Sequence, residues 1–367
     1  MGLLAKHRNM KILITGACAV SGRSVLRSLK MSPFFKDSIF IGWDMCQILY
    51  GVYDRDFDRM YKVPPVSSPD YDKVAKDVLE REKPDVAIIV PEVEVLYWTN
   101  HDFDIPCLLP PKEFASLAIS KERLFNALSE TGLVPETVNV DTTSLLEDNF
   151  NNPLGYPVWI RDGSAGTASA KGAYKAHNPS ELQAWVKINE GTERFQLSEF
   201  LTGRNLGCFC LFKNGNLVKI AQAQRIEYIM GKVAVSGITG NTSKGKLLNE
   251  KKITETALKA IDHLCKLTGE KMNGLVVADM KENDSGKPII TEINIRHVAF
   301  SSSFAMAGQN IAEAQVLLAL NRDAEVPGEV CKDYPKENLI LRDVDGPPLY
   351  ITHPVPLEEG GYIPSDY

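Results

Sequence analysis

The sequence predicts an α/β domain at the N-terminus followed by a strand-rich α+β region, and three observations carry this reading. Over the first part of the chain, short apolar runs alternate with segments of helical period, as buried parallel strands joined by helices do. From about residue 156 onward, strand-like runs follow one another through turn residues. A length of 367 residues leaves room for two or three domains with a substantial core.

In order along the chain, residues 10–15 form a short buried strand, followed by Gly16-Ala-Cys-Ala-Val-Ser-Gly22. Residues 23–30 carry Val25, Leu26 and Leu29 at helical spacing. A second strand spans 38–43 and ends at Asp44. Residues 71–82 are helical, with Val74, Val78 and Leu79 on one face, and 85–90 make a continuous apolar strand before Pro91. This first domain covers about 9–110. Residues 120–131 form a helix with Ser120 as N-cap, Leu124, Phe125 and Leu128 as its apolar face, and Gly132 as C-cap. Strands follow at 156–161, 195–200, 206–212 and 217–222, with Asn214-Gly215 as a hairpin turn. Residues 253–267 make an amphipathic helix through Ala257, Ile261 and Leu264. Strands at 274–281 and 288–294 are joined by Asn283-Asp-Ser-Gly286. A helix at 311–320 precedes a Pro- and Gly-rich surface tail.

A net charge of −6 without a long basic block argues against nonspecific nucleic-acid binding. No apolar run reaches the roughly 18 residues of a membrane span. The run at 12–14 is far too short for a signal-peptide core, so a cytoplasmic protein is expected. The seven cysteines are scattered. Cys208 and Cys210 share a strand face but lack the spacing and neighbours of a zinc site, which predicts buried free thiols.

Candidate chemistry gathers in three places. Asp279 lies in one strand, and Glu292 and Asn294 lie on one side of the next, so a hairpin sets the three opposite one another. All are oxygen ligands of the kind magnesium takes, in strands that are apolar on both faces. A polar trio on a solvated hairpin face is the plain alternative. Arg296 continues the same alternation and suits a phosphate clamp. The stretch from Arg161 to Lys171 and Gly172 is rich in small residues, which let backbone amides approach phosphate. It is not a Walker loop. Glu199-Phe-Leu-Thr-Gly203 ends a strand in an acidic residue and a short hinge that could meet an adenine.

With these residues in view, the chain from about 10 to 325 resembles the ATP-grasp enzymes, in texture most like one half of the carbamoyl-phosphate synthase large subunit. Gly155-Tyr-Pro-Val-Trp-Ile-Arg161 is similar to the family's strand into a glycine-rich flap, and Ser120-Lys121 to its helix start. Glu199 to Gly203 resembles the adenine hinge, Glu292-Ile-Asn-Ile-Arg296 the Glu-x-Asn-Pro-Arg signature, and 301–309 the serine-rich segment after it. Three departures stand out: Asn205 where a ribose-binding Glu is common, Ile295 for Pro, and Thr167-Ala-Ser-Ala in the flap.

The resemblance implies a Rossmann-like pre-ATP-grasp domain, then a two-subdomain ATP-grasp fold at 111–325, divided at about 200, and a tail at 326–367. It implies nucleotide contacts from Lys121, Arg161, Lys171, Glu199, Phe200, Leu201 and Asn205. It implies magnesium or manganese on Asp279, Glu292 and Asn294, and catalytic charge from Arg161 and Arg296. The implied reaction activates a small carboxylate as an acyl phosphate with ATP and passes it to an amine. Neither nucleic acid nor membrane takes part, and a homodimer is allowed. Two rival readings stay open. One is a nicotinamide-dependent oxidoreductase, from Gly16, Gly22 and Asp44 with Tyr228 and Lys232. The other is a non-catalytic ATP-binding protein. Loops around 91–94, 225–228 and 237–240 are expected to contact substrate, and His297, beside Arg296, is read as a packed histidine first and a substrate contact second.

Overall fold

A computed structural model of the chain describes residues 10–46, 57–163, 173–235, 237, 239–342 and 360–364. Three sheets organise them. In the first, Lys11–Thr15 lies parallel to Ile39–Asp44 on one side and to Val86–Ile88 on the other. Arg59–Lys62 extends the parallel set, and Tyr362–Pro364 closes the edge antiparallel to it. The central strands read as continuous apolar runs because helices cover both faces, with Leu13 and Ile41 in one core cluster and Ile12, Ile14 and Phe40 in another.

The second sheet is antiparallel, in the order Pro288–Asn294, Gly274–Glu282, Asn205–Lys213, Asn216–Tyr228, Thr242–Leu248 and Ile340–Leu341. Its turn at Asn214-Gly215 has both residues at positive φ, 53° and 84°, as the Asn-Gly pair favours. One face packs on the amphipathic helix Lys251–Thr268 through Cys208, Val276 and Ala278 against Ala257, Ile261 and Leu264. The opposite face is only half apolar. Phe209, Leu211, Leu275 and Val277 pack there with Phe300 and Phe304, and beyond them the same alternation brings up Asn205, Asp279 and Lys281.

The third sheet has four antiparallel strands, in the order Thr137–Asp141, Arg194–Glu199, Val158–Asp162 and Tyr174–Ala176. It has its own small core of Leu145, Val158, Ile160, Leu182, Val186, Phe195 and Leu197. The helix Lys121–Leu128 begins at Ser120, whose hydroxyl accepts from the Arg123 N–H, and Gly132 ends the following turn at φ 63°.

Several expectations need revision. Residues 91–94 do not form a loop, since Glu92–Trp98 is a helix that starts after Pro91. The strand expected at 217–222 runs on as Asn216–Tyr228. The tail is pinned to the body rather than lying loosely on it: Ile340–Leu341 joins the second sheet, Tyr362–Pro364 joins the first, and Tyr334 is buried. The cysteines are free, but only Cys18, Cys208 and Cys210 are buried. No helix among the described residues is long and apolar enough to cross a membrane.

The junction between the third and second sheets is clamped. The Gly203 N–H donates to the Glu282 carbonyl at 2.9 Å, and a Cβ on Gly203 would lie 2.5 Å from that of Glu282. Arg204 pairs with Glu282 and with Glu250 through four bonds of 2.7–2.8 Å, and Lys252 adds a fifth partner contact to Glu282 at 2.7 Å. Arg204 above all, then Lys252, holds the Glu282 carboxyl down at about 2 against the effect of burial. A carboxylate depressed on folding contributes stability above its unfolded pKa, roughly 4.3, and that contribution fades as pH falls through the folded value. Urea midpoints at pH 7, 4 and 2.5 should therefore drop steeply on the acid side for the native chain. Arg204→Met should be weaker at pH 7 and flatter toward acid, by on the order of 3 kcal/mol between the extremes. Parallel pH profiles would remove Glu282 from the clamp.

Candidate active site

A cavity of about 550 Å³ lies between the third and second sheets. Lys121, Arg161, Glu199, Phe200, Leu201, Asn205, Asp279, Glu292, Asn294 and Arg296 all line it. They come from stretches of chain up to 175 residues apart, which the two sheets and the helix Lys121–Leu128 bring together. Lys171 falls outside the described residues, as does the rest of 164–172.

At one end Glu199, Phe200 and Leu201 leave the third sheet and form a wall with Trp159 and Met280. The Phe200 ring lies 6.3 Å from that of Trp159, and Lys175 sits 4.1 Å over it. Asn205 accepts a 3.4 Å hydrogen bond from Lys281, whose pKa burial and Lys175 push down.

The middle of the cavity holds the acidic pair. Asp279 and Glu292 are directly paired across adjacent antiparallel strands, and the register slips just beyond Asp279, where Thr291 instead donates to the Asp279 carbonyl. Asn294 donates to the Asp279 carboxylate at 3.3 Å, so the three expected ligands do share one face. Each carboxylate has a cation of its own. Arg225 meets Asp279 at 2.5 Å, and Lys121 meets Glu292 at 2.8 Å. Burial raises the Asp279 pKa, with Arg225 opposing it. At Glu292 burial also pushes upward, but Lys121, Arg161 and Arg296 outweigh it and hold the carboxyl below its ordinary range.

Arg161 is more deeply embedded than its sequence reading implied. It donates twice to Gln196, once at 2.8 Å, and its guanidinium lies 5.0 Å over the Phe125 ring. Burial brings its pKa down to about 10, with Glu292 opposing the fall. Arg296 faces Glu92 at 3.8 Å, at the start of the Glu92–Trp98 helix. His297 is buried between Ser301 and Gln315 at 2.9 and 2.8 Å and does not line the cavity; burial takes its pKa to about 4.

Two cavity arginines lay outside the ligand set read from sequence. Arg225 belonged to a stretch expected to be a loop. Extending the strand by its own alternation, Ala221, Ala223, Arg225, would have turned it to the cavity. Arg342 sits in the tail, where no periodicity marks it.

The dinucleotide alternative meets a closed loop. A Cβ on Gly16 would lie 2.8 Å from the Pro91 ring, and one on Gly22 2.3 Å from the Gly16 carbonyl, so packing accounts for both glycines. The Asp44 carboxylate accepts the backbone N–H groups of Cys18 and Cys46 at 2.9 and 3.1 Å. Met230 and Gly231 stand in a turn between Tyr228 and Lys232, which share no helix.

No protein-family model matches the chain, and no curated protein matches it in sequence. Solved structures do match its fold. D-alanine–D-alanine ligase from Bacillus anthracis aligns at 12% identity over 85% of this chain and 97% of its own, with a TM-score of 0.55. Phosphoribosylamine–glycine ligase from Thermotoga maritima aligns at 16% identity over 85% and 75%, with a TM-score of 0.60. N5-carboxyaminoimidazole synthetase from Staphylococcus aureus, solved with ADP, aligns at 15% identity over 84% and 77%, also at 0.60. These neighbours are ATP-grasp carboxylate–amine ligases, and this chain shares their fold.

Because Arg161 both packs and carries charge, Arg161→Ala should cost stability as well as any chemistry. Losing the bonds to Gln196 leaves a buried amide short of a partner, worth about 1–3 kcal/mol. Urea denaturation of Arg161→Ala beside Arg161→Lys measures this. An unchanged midpoint in the Ala variant would return Arg161 to a role in charge alone.

Proposed function

We propose that this chain is an ATP- and magnesium-dependent ligase that activates a small-molecule carboxylate as its acyl phosphate and transfers the acyl group to an amine. One observation carries the reading: ten residues selected from separate sequence motifs line a single cavity between two sheets. The ATP-grasp fold of its neighbours supports it. The kinship with one half of the carbamoyl-phosphate synthase large subunit rests on the motif order in the sequence. So does the division into a Rossmann-like pre-grasp domain at about 9–110 and an ATP-grasp domain at 111–325. The free cysteines suit a reducing cytoplasm.

The residues fit the metal. Asp279 and Glu292 are adjacent oxygen donors lining one cavity, with the Asn294 amide beside them. Those three would hold magnesium, which when bound offsets the charge of the nucleotide's terminal phosphates. The rest falls to the protein. Glu199, Phe200 and Leu201 would take the adenine, and Asn205 and Lys281 the ribose side. Arg161 and Lys121 would meet the phosphates, with Lys121 moving from Glu292 to phosphate oxygen as the nucleotide enters. A substrate carboxylate oxygen attacks the γ-phosphorus, the bond to ADP breaks, and an acyl phosphate forms. The amine nitrogen then adds to the acyl carbon, inorganic phosphate leaves with the C–O bond electrons, and the nitrogen loses a proton. Positioning and preorganised charge do most of the work in such a transfer. Arg296 would stabilise the phosphoryl oxygens.

ATP with magnesium should raise the melting temperature by mass action, and NAD should leave it unchanged. A shift with NAD alone would favour an oxidoreductase, and ATP binding without ADP release across a panel of paired carboxylates and amines would favour a non-catalytic ATP-binding protein. Glu292→Gln keeps the shape and an oxygen donor but removes a charge, so turnover should fall by about 10²-fold or more while ATP affinity changes far less. Asp279→Asn should follow more mildly. Near-normal turnover of Glu292→Gln at low magnesium would overturn the metal assignment.

A further inference from the structure

The cationic groups of the cavity differ in what they face. Lys121, Arg225 and Arg296 each face a carboxylate, on Glu292, Asp279 and Glu92, while Arg161 and Lys281 each hold a side-chain amide, of Gln196 and Asn205. Arg342 faces neither a carboxylate nor a side-chain amide among the described residues, although it lines the cavity with Val20, Ser21 and Phe300, beside the strand Thr242–Leu248. It is held there from both ends. Its backbone N–H donates to the Ser243 carbonyl at 2.8 Å, and its guanidinium donates to the Thr242 carbonyl at 3.0 Å.

The surroundings add positive charge. Arg23 and Arg27, on the helix Val20–Lys30, are close enough for their charges to act on Arg342. Burial first, and then these two charges, bring the Arg342 pKa down to about 10. The Arg23 Nε is buried without a hydrogen-bond partner. The helix that carries Arg23 starts in the cavity wall at Val20 and Ser21, with no acidic residue in its first turn and no side-chain cap. The first N–H groups of a helix have no partner within it and add to the positive field. The helix cannot retreat from the site, because Ser24 bonds Ser302 at 2.8 and 3.0 Å and Asn310 bonds the Ser28 carbonyl at 2.6 Å. Arg342 in the cavity wall and Arg23 behind it are like charges near one another, at a free-energy cost that a bound anion would offset.

We propose that Arg342, Arg23 and the start of the Val20–Lys30 helix form an anion subsite, which holds a second acidic group of the substrate away from the carboxylate that is activated. The proposal rests on the ligase reading only in calling that anion part of a substrate. The acidic group is a phosphate or a second carboxylate; both accept the paired N–H groups of a guanidinium.

The test is calorimetric titration of the full chain with inorganic phosphate and, separately, with succinate. Each is run with and without a saturating non-hydrolysable ATP analogue and magnesium, which fills the nucleotide's own phosphate positions. At least one anion should bind in the presence of the analogue. Arg342→Gln should weaken that binding about tenfold or more, the loss expected for a charge-assisted hydrogen bond, and should leave analogue affinity within about twofold. Arg23→Gln should weaken it less. Phosphate alone binding identifies a phosphorylated substrate, and succinate alone a dicarboxylate. If Arg342→Gln does not fold, Arg342→Lys and Arg23→Gln decide the matter, each expected to lose anion affinity. Absence of binding by either anion, or binding that these variants leave unchanged, overturns the subsite. If the analogue itself does not bind, the ligase reading fails, while Arg342-dependent succinate binding in its absence still upholds an anion site.

Discussion

The constraint on which this structure turns is the placement of two carboxylates, Asp279 and Glu292, opposite one another on adjacent strands inside a cavity. Directly opposed residues in an antiparallel pair lie about 5 Å apart, where like charges repel by about 3 kcal/mol at an effective dielectric near 20. Burial adds to that cost. The fold answers with one cation for each: Arg225 reaches Asp279 from two strands away, across Gly207, and Lys121 from a helix start meets Glu292. The two solutions differ in kind. Arg225 is a strand residue, deep in the second sheet, whereas Lys121 sits on a long flexible stem at the edge of a short helix. A divalent ion between the carboxylates would compete with both, and the lysine is the easier to displace.

The remaining architecture serves to keep that pair covered and in register. The apolar half of the same sheet face, from Phe209 to Phe304, stops where the polar residues begin. The helix Lys251–Thr268 closes the other face. The third sheet has a separate small core, so its position over the cavity depends on the junction at 199–205. Arg204, braced by Glu250 and Glu282, anchors that junction to the second sheet. The residues Glu199, Phe200 and Leu201 thus sit next to an anchored junction.

The N-terminal sheet illustrates how a motif can be present and yet do structural work. Its first strand, glycine-containing turn and helix have the order of a dinucleotide site, but Pro91 fills the space above Gly16 and Asp44 caps the backbone of Cys18 and Cys46. What the helix offers the cavity is its opening turn at Val20 and Ser21.

The sequence by itself determined the strands and helices whose apolar period is unbroken. Tyr71–Glu82 and Pro288–Asn294 match their expected bounds because local burial and turn residues define both ends. It also determined that Glu292 and Asn294 share a side, since a two-residue period needs no tertiary information. Where polar residues interrupt a pattern, as at 222–228 and 91–94, the local signal fails and the packing decides. Only the tertiary structure could reveal that Arg225 neutralises Asp279, that Arg161 is packed as well as charged, and that Arg342 reaches the cavity from the tail. Each depends on contacts between elements distant in the chain, and a long cationic side chain carries no local mark of the partner it will meet.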